Sequence, residues 1–346
     1  MKKNILWIFL LLATAGNSQT TPIISTDTAS TFTNPLLVVG PDPWVISKDG
    51  FYYYLHTTGN SIVIRKTKTM TALKSAQPVV AWQPTPGSAN SKNIWAPELH
   101  YLNKKWYLYY TAGATANLAT QRTYVLENAA ADPTTGSWTD KGQIGDTAAN
   151  FFAIDGTVLE YKGKNYFIWS GHISATDNTQ RLYIARMADP WTLATPRVEI
   201  SAPTYAWEKI GTPNVNEGPE ILQNAKKAVF LIYSASGCWT DDYALAQLRL
   251  KKKGDPLQPS HWEKAPLPVF SKSPENSAFG PGHNGFFKSP DGKEDWIIYH
   301  ANPSAGQGCG NARSPRIQRI TWRADGTPDF GVPLPLDKRI KKPSGE

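Results

Sequence analysis

Five stretches of this chain resemble one another. They are "GPDPWVISKDGFYYYLHTT" from Gly40, "WAPELHYLNKKWYLYYTAG" from Trp95, "AIDGTVLEYKGKNYFIWSG" from Ala153, "NEGPEILQNAKKAVFLIYSAS" from Asn216 and "GPGHNGFFKSPDGKEDWIIYHA" from Gly280. Each opens on a polar residue set among glycine or proline. Each continues with a short apolar strand, a turn ("KDG", "NKK", "KGK", "NAKK", "PDGKED") and an aromatic strand, which is the signature of a β-hairpin. A third alternating strand follows each hairpin ("IVIRKTKTM", "RTYVLENAAADP", "RLYIARMADP", "YALAQLRLKKKGDP", "RIQRITWRADGTP"), and after it comes a short segment with proline or tryptophan suited to an outer strand. The polar residues Asp42, Glu98, Asp155, Glu217 and His283 mark the units, with gaps of 56, 57, 62 and 66 residues. Five units of about four antiparallel strands predict an all-β, five-bladed β-propeller. A β-sandwich is the competing architecture, but it does not require five equivalent units.

Composition agrees with many turns around one large core. The chain has 346 residues, 40% of them hydrophobic, with 26 glycines and 27 prolines. The opening "MKKNILWIFLLLATAGNS" has two lysines, an apolar run and small residues, so residues 1–18 are expected to be a secretory signal peptide. Residues 19–33 are then a lead-in, 34–337 a single propeller and 338–346 a basic tail. The apolar run is too short to span a bilayer comfortably, and no membrane association is expected once the signal is removed. The protein is expected to be exported, to the periplasm or beyond the cell, and to be a monomer. The net charge of +8 is scattered apart from Lys251–Lys253 and the tail. It forms no basic stripe of the kind a nucleic-acid binder shows, so nucleic acid is not expected as a partner. Weak attraction to acidic polysaccharide is compatible with it.

In a propeller the first strand of each blade lines the axis, so the residues that open those strands converge on one mouth of the central channel. Taken singly, Asp42 between two prolines, Asp155 in "IDG" and Glu217 each read as ordinary turn or surface acids. As a set, carboxylates recurring in one phase beside Trp44, Trp95 and Trp239 demand another reason, because like charges brought together cost free energy. Such a cluster suits a metal site, a sugar-binding site, or acid–base hydrolysis of a glycosidic bond, in which one carboxylate activates water and another protonates the leaving oxygen.

The motifs "GPDPWV", "WAPELH", "AIDGTV", "NEGPEIL", "GPGHNGFF" and "RSPRIQRITW", in this order, resemble glycoside hydrolase family 43, whose members are five-bladed propellers that attack arabinofuranosides and xylosides. The resemblance implies an inverting hydrolase with a carbohydrate substrate and no cofactor for the chemistry. Asp42 would be the general base, Glu217 the general acid and Asp155 the residue that tunes the acid's pKa. Glu220, three residues on from Glu217, competes with it under strict repeat alignment; the family pattern favours Glu217. Glu98 and Glu220 would then support the site from beneath. Trp95, Glu98, Trp239 and Arg316 are the expected substrate contacts, with Arg313 competing with Arg316. His283 matches a histidine that faces a calcium or other cation at the axis through water, although a lone imidazole is a weak signature for a hard cation. The stretch "YSASGCWTDDYALAQL" is similar to the family's α-L-arabinofuranosidases. The segments 201–219 and 305–315 could wall a pocket, and Cys238 and Cys309 fall in neighbouring loops where a disulfide would brace its rim. An exo-acting α-L-arabinofuranosidase is therefore expected, against a β-xylosidase, another furanosidase, an endo-arabinanase or a non-catalytic sugar-binding propeller.

Overall fold

The structure is a computed structural model that describes Met1 and residues 30–346; the expected signal peptide, after Met1, and most of the lead-in lie outside the described residues. Five antiparallel sheets follow one another along the chain, each a meander in sequence order. Their innermost strands are Trp44–Lys48, Lys92–Leu102, Ala153–Tyr161, Asn216–Gln223 and Phe279–Lys288. Four blades have four strands. In the third blade the outer place is divided between Thr192–Leu193 and Val198–Ser201, both paired with Arg181–Asp189. All helical segments among the described residues are short 3-10 turns.

Local chemistry sets the hairpins. Lys48 pairs with Phe51, Leu102 with Lys105 and Tyr161 with Lys164, leaving two-residue loops. Both central residues of each loop have positive φ: Asp49 and Gly50, Asn103 and Lys104, Lys162 and Gly163. That is the turn whose twist matches the twist of the flanking strands.

The second strands carry the aromatics, and alternation sends their side chains to opposite faces of the blade. Tyr53 packs toward the second blade, whereas Tyr52 and Tyr54 pack toward the fifth. Trp106, Leu108 and Tyr110 face the first blade, and Tyr107 and Tyr109 face the third. Val229, Leu231 and Tyr233 face the third blade, and Phe230 and Ile232 face the fifth. The core is thus five interfaces in a ring, each between adjacent blades. At about 1.5–3 kcal/mol for each large apolar side chain buried, these interfaces are the main stabilising term.

The ring is closed by both ends of the described chain. Thr31–Phe32 pairs with Ile340–Lys341, and Asn34 exchanges hydrogen bonds with the backbone of Ile317. The carboxylate of Glu346 accepts from the backbone of Met70 and Thr71. The segment expected as a basic tail therefore contributes a strand and a cap.

Candidate active site

The innermost strand of each of blades two to five is interrupted at the same place. Pairing slips between Trp95 and Glu98, Ile154 and Thr157, Glu217 and Glu220, and Gly282 and Gly285. Inside each slip lies a residue with left-handed backbone: Ala96 (φ 40°), Asp155 (54°), Gly218 (54°) and His283 (42°), matched by Asp42 (53°) ahead of the first strand. Aspartate and histidine tolerate this region better than most residues, and glycine enters it without a steric cost. A bulge of this kind re-aims side chains out of the pleat. Asp42, Asp155 and His283 are thus equivalent positions, whereas Glu217 precedes its bulge residue and Glu98 and Glu220 follow theirs by two. This corrects the expectation that Asp42, Asp155 and Glu217 share one phase, because the bulge adds residues that spacing alone cannot register.

The bulges are tied blade to blade. Ala96 N–H donates to Thr57 Oγ1 (2.7 Å), Asp155 N–H to Thr111 Oγ1 (3.1 Å) and His283 N–H to Ser234 Oγ (2.8 Å). Asp42 N–H closes the circle by donating to His300 Nδ1 (3.0 Å). The third blade breaks the pattern. Ser170 Oγ donates instead to the carbonyl of Asn216 (2.8 Å), and Gly218 N–H donates to Asp155 Oδ2 (3.0 Å). That exchange holds the Asp155 carboxyl against the residue next to Glu217.

The three acids open into one cavity of about 310 Å³, walled by Trp95, Phe152, Trp239 and Arg313 among others. Arg313 Nη1 donates to Asp42 Oδ1 (2.8 Å), while its Nη2 and Nε donate to the carbonyls of Cys309 and Gly310. Cys238 and Cys309 form a disulfide (Cα–Cα 5.3 Å), so the loop that anchors Arg313 is tied to the loop that carries Trp239. Gly237 makes room for the Trp239 indole; a Cβ there would stand 2.3 Å from Cε2.

Electrostatics separates the two principal acids. Burial opposes ionisation of Asp42, but Arg313, His283, His300 and the Thr57 hydroxyl outweigh it and hold the carboxyl well below the usual carboxylate range. Burial keeps both imidazoles below their ordinary pKa. They are therefore neutral near pH 7, and Arg313 is the cation that counts. His300 Nδ1 accepts from Asp42 N–H, so it has no proton to offer Asp42 Oδ1 at 3.5 Å. Glu217 goes the other way: burial, followed by the Asp42 charge, lifts it from 4.5 to about 7 against the opposing Tyr243 hydrogen bond and Arg313. Asp155 is pushed well up by burial, by Glu217 and by Asp42.

An arrangement of one ionised and one protonated carboxyl over a small cavity can deliver a proton and accept one in a single turnover. The sequence profile of glycosyl hydrolases family 43 matches residues 32–328. The chain belongs to glycosyl hydrolases family 43. It is a glycoside hydrolase. Among its relatives, an extracellular exo-α-(1→5)-L-arabinofuranosidase of Streptomyces avermitilis is 40% identical over 95% of this chain and 70% of that protein. The protein of the same name from Streptomyces chartreusis is 38% identical over 78% of this chain and 82% of its own length. The crystal structure of an α-L-arabinofuranosidase from Lactobacillus brevis superimposes with a TM-score of 0.83 at 36% identity, covering 89% of this chain and 98% of that one.

Not every expected contact of this family 43 hydrolase lies in the cavity. Trp95 and Trp239 line it. Glu98 lies beneath it, buried, with Oε2 2.9 Å from His100 Nε2. Arg316 is 0% exposed and donates only weakly, to the carbonyl of Ala301 (3.4 Å), so the wall position belongs to Arg313. Two residues separate the two arginines on one extended segment, and the sequence held no signal to choose between them. Trp44 is off the cavity wall too, half-buried against the first and second blades with its indole N–H donating to the carbonyl of Leu99. Trp207 packs against the third and fourth blades, with its N–H on the carbonyl of Pro266, and fills a loop core. For the axial cation expected to face His283 through water, no group of three or more His, Cys, Asp or Glu among the described residues offers direct ligands. Two neighbours of the acids were missed. Tyr243 O–H donates to Glu217 Oε1 (2.9 Å) and stacks on His300, with ring centroids 5.8 Å apart. His300 takes the place that Thr57, Thr111, Ser170 and Ser234 hold in the other blades, a substitution visible only once the bulges are aligned.

Proposed function

We propose that this family 43 hydrolase is an exported, exo-acting α-L-arabinofuranosidase that inverts the anomeric centre. The observation that carries the reading is the opposite protonation of two carboxyls on one cavity: Asp42 kept ionised beside Arg313, and Glu217 kept protonated to about pH 7. Asp42 takes the proton of an attacking water while Glu217 gives its own to the departing oxygen. Asp155, braced on Gly218 N–H, orients Glu217, and its own carboxyl is raised by burial and by the Glu217 charge. Both proton transfers are supplied by the chain itself, without a cofactor. A cavity of about 310 Å³ is at the small end of the ~300–1,000 Å³ common for ligand sites and suits a terminal furanose. The names of the Streptomyces and Lactobacillus relatives favour arabinofuranose as that sugar, and the signal-like start together with the word extracellular in two of those names favours export.

A panel of aryl α-L-arabinofuranosides, β-xylosides and other furanosides tests the sugar. Hydrolysis of an α-1,5-arabino-oligosaccharide, followed by NMR before mutarotation, tests the mode and the mechanism. The reading expects single arabinose units released as the β-anomer. Retention of the α-anomer, a ladder of oligosaccharides from arabinan, or turnover of xylosides alone would each overturn it.

A further inference from the structure

Many of the lysines scattered along the sequence gather on one face. Each innermost strand starts at the acidic mouth and ends at a hairpin turn, so the five turns form the opposite face. All carry lysine: Lys48, Lys104 and Lys105, Lys162 and Lys164, Lys226 and Lys227, and Lys293 with the flanking Lys288. In the first, second and fifth blades the turn lysines other than Lys104 are paired, Lys48 with Asp49, Lys105 with Glu127, Lys288 with Asp295 and Lys293 with Asp291. In the third and fourth blades no turn lysine makes an ion pair among the described residues. The run Lys251–Lys253, at the end of the fourth blade's third strand, joins them on the same face and is equally unpaired and exposed.

These groups surround a cavity of about 350 Å³ lined by Lys226, Lys227, Arg249 and Lys251–Lys253 together with the half-buried ring of Tyr161. The single carboxylate in the wall, Asp325, accepts from the N–H and hydroxyl of Thr327 and offsets the charge of Arg249 alone among the cations of this cavity. The two blades are fastened across the cavity, since Tyr161 O–H donates to the carbonyl of Gly254 and Lys162 Nζ to that of Lys253 (3.5 Å). On its other side the Lys162–Lys164 turn borders a second cavity, of about 500 Å³, where Lys162, Lys164 and Arg186 are balanced in part by Glu160 and Asp189. A hollow with six cations against one carboxylate, an aromatic ring in its wall and a second hollow adjoining it is built for a polyanion that is also a chain of rings.

We propose that the face opposite the catalytic mouth is a second carbohydrate-binding site, specific for acidic polysaccharide bearing carboxylates along its backbone. Held there, the enzyme keeps its mouth turned toward neutral side chains of the same material.

Affinity electrophoresis through gels containing sodium polygalacturonate, backed by calorimetric titration, tests this with no turnover step, so its result is independent of which sugar the mouth cleaves. Wild type should be retarded at low salt and released as ionic strength rises. Reversing three exposed charges in Lys226→Glu/Lys251→Glu/Lys253→Glu should weaken binding about tenfold or more. Thermal midpoint, and kcat and KM on a small aryl arabinofuranoside, should not move. Lys48→Glu/Lys288→Glu, on the paired blades, should bind as wild type does. Undiminished binding by the triple variant, no retardation of wild type, or equal affinity for duplex DNA and for polyacrylate would each overturn the proposal.

Discussion

Replacing Glu217 by glutamine isolates the protonation on which the mechanism depends. The amide keeps an acceptor for Tyr243 O–H and fills the same space, but it cannot ionise. In the fold the carboxyl titrates near 7 rather than 4.5, a preference for the neutral form worth about 3 kcal/mol at ~1.4 kcal/mol for each tenfold. A folded pKa above the unfolded one means that the native state holds a proton the unfolded chain has released. Wild type therefore loses stability as pH rises from about 4.5 to 7 and levels off above that. The glutamine variant escapes this loss. Between pH 5 and 8 its advantage over wild type should grow by about 2–3 kcal/mol, and by more where relief of Asp155, lifted in part by the same charge, adds to it. Urea unfolding followed by tryptophan fluorescence at half-unit pH steps reads the difference directly. A difference that stays flat from pH 5 to 8 would show that Glu217 is an ordinary ionised glutamate and would refute the assignment of an acid.

Arg313→Met removes the cation that keeps Asp42 ionised. A depressed carboxyl pKa gives stability above the unfolded value near 3.8 that is lost as pH falls through the folded one. The variant should therefore lose about 3–5 kcal/mol at neutral pH and less toward pH 3, and the acid limb of its kcat/KM profile should move upward. Glu208→Ala should cost about 3 kcal/mol or more in calorimetry, because the buried carboxylate anchors Lys264, Tyr233, the Thr204 and Tyr205 amides and Asn216, and any fall in kcat should follow from loosening Asn216 beside Glu217. Trp239→Ala, which strips an aromatic wall from the cavity, should raise KM roughly tenfold with a smaller change in kcat, if stacking is worth ~1 kcal/mol or slightly more.

Much of this was legible in the chain because propellers repeat. The hairpins could be found from their turn residues and aromatic strands, and five units at near-regular spacing left few architectures open. Convergence of Asp42, Asp155 and Glu217 followed from the same repeat. The phase of each acid did not, since a bulge is a backbone event with no fixed residue type: alanine, glycine, histidine and aspartate all fill it here. The choice of Arg313 over Arg316 rests on which way two extended residues point, and the part of His300 on replacing a small hydroxyl in one blade of five. The grouping of lysines on one face was hidden for the same reason, since residues more than sixty positions apart meet only when the blades close into a ring.

The most direct test of the account is the dependence of Glu217→Ala on the leaving group. Along a series of aryl α-L-arabinofuranosides, a good leaving group departs without protonation, whereas an alkoxide does not. The variant should stay within about tenfold of wild type in kcat/KM on 2,4-dinitrophenyl arabinofuranoside and fall by ~10²–10⁴ on α-1,5-arabinobiose, the range that general acid catalysis supplies. Equal losses on both substrates, or no loss on the disaccharide, would contradict the claim that Glu217 gives the proton.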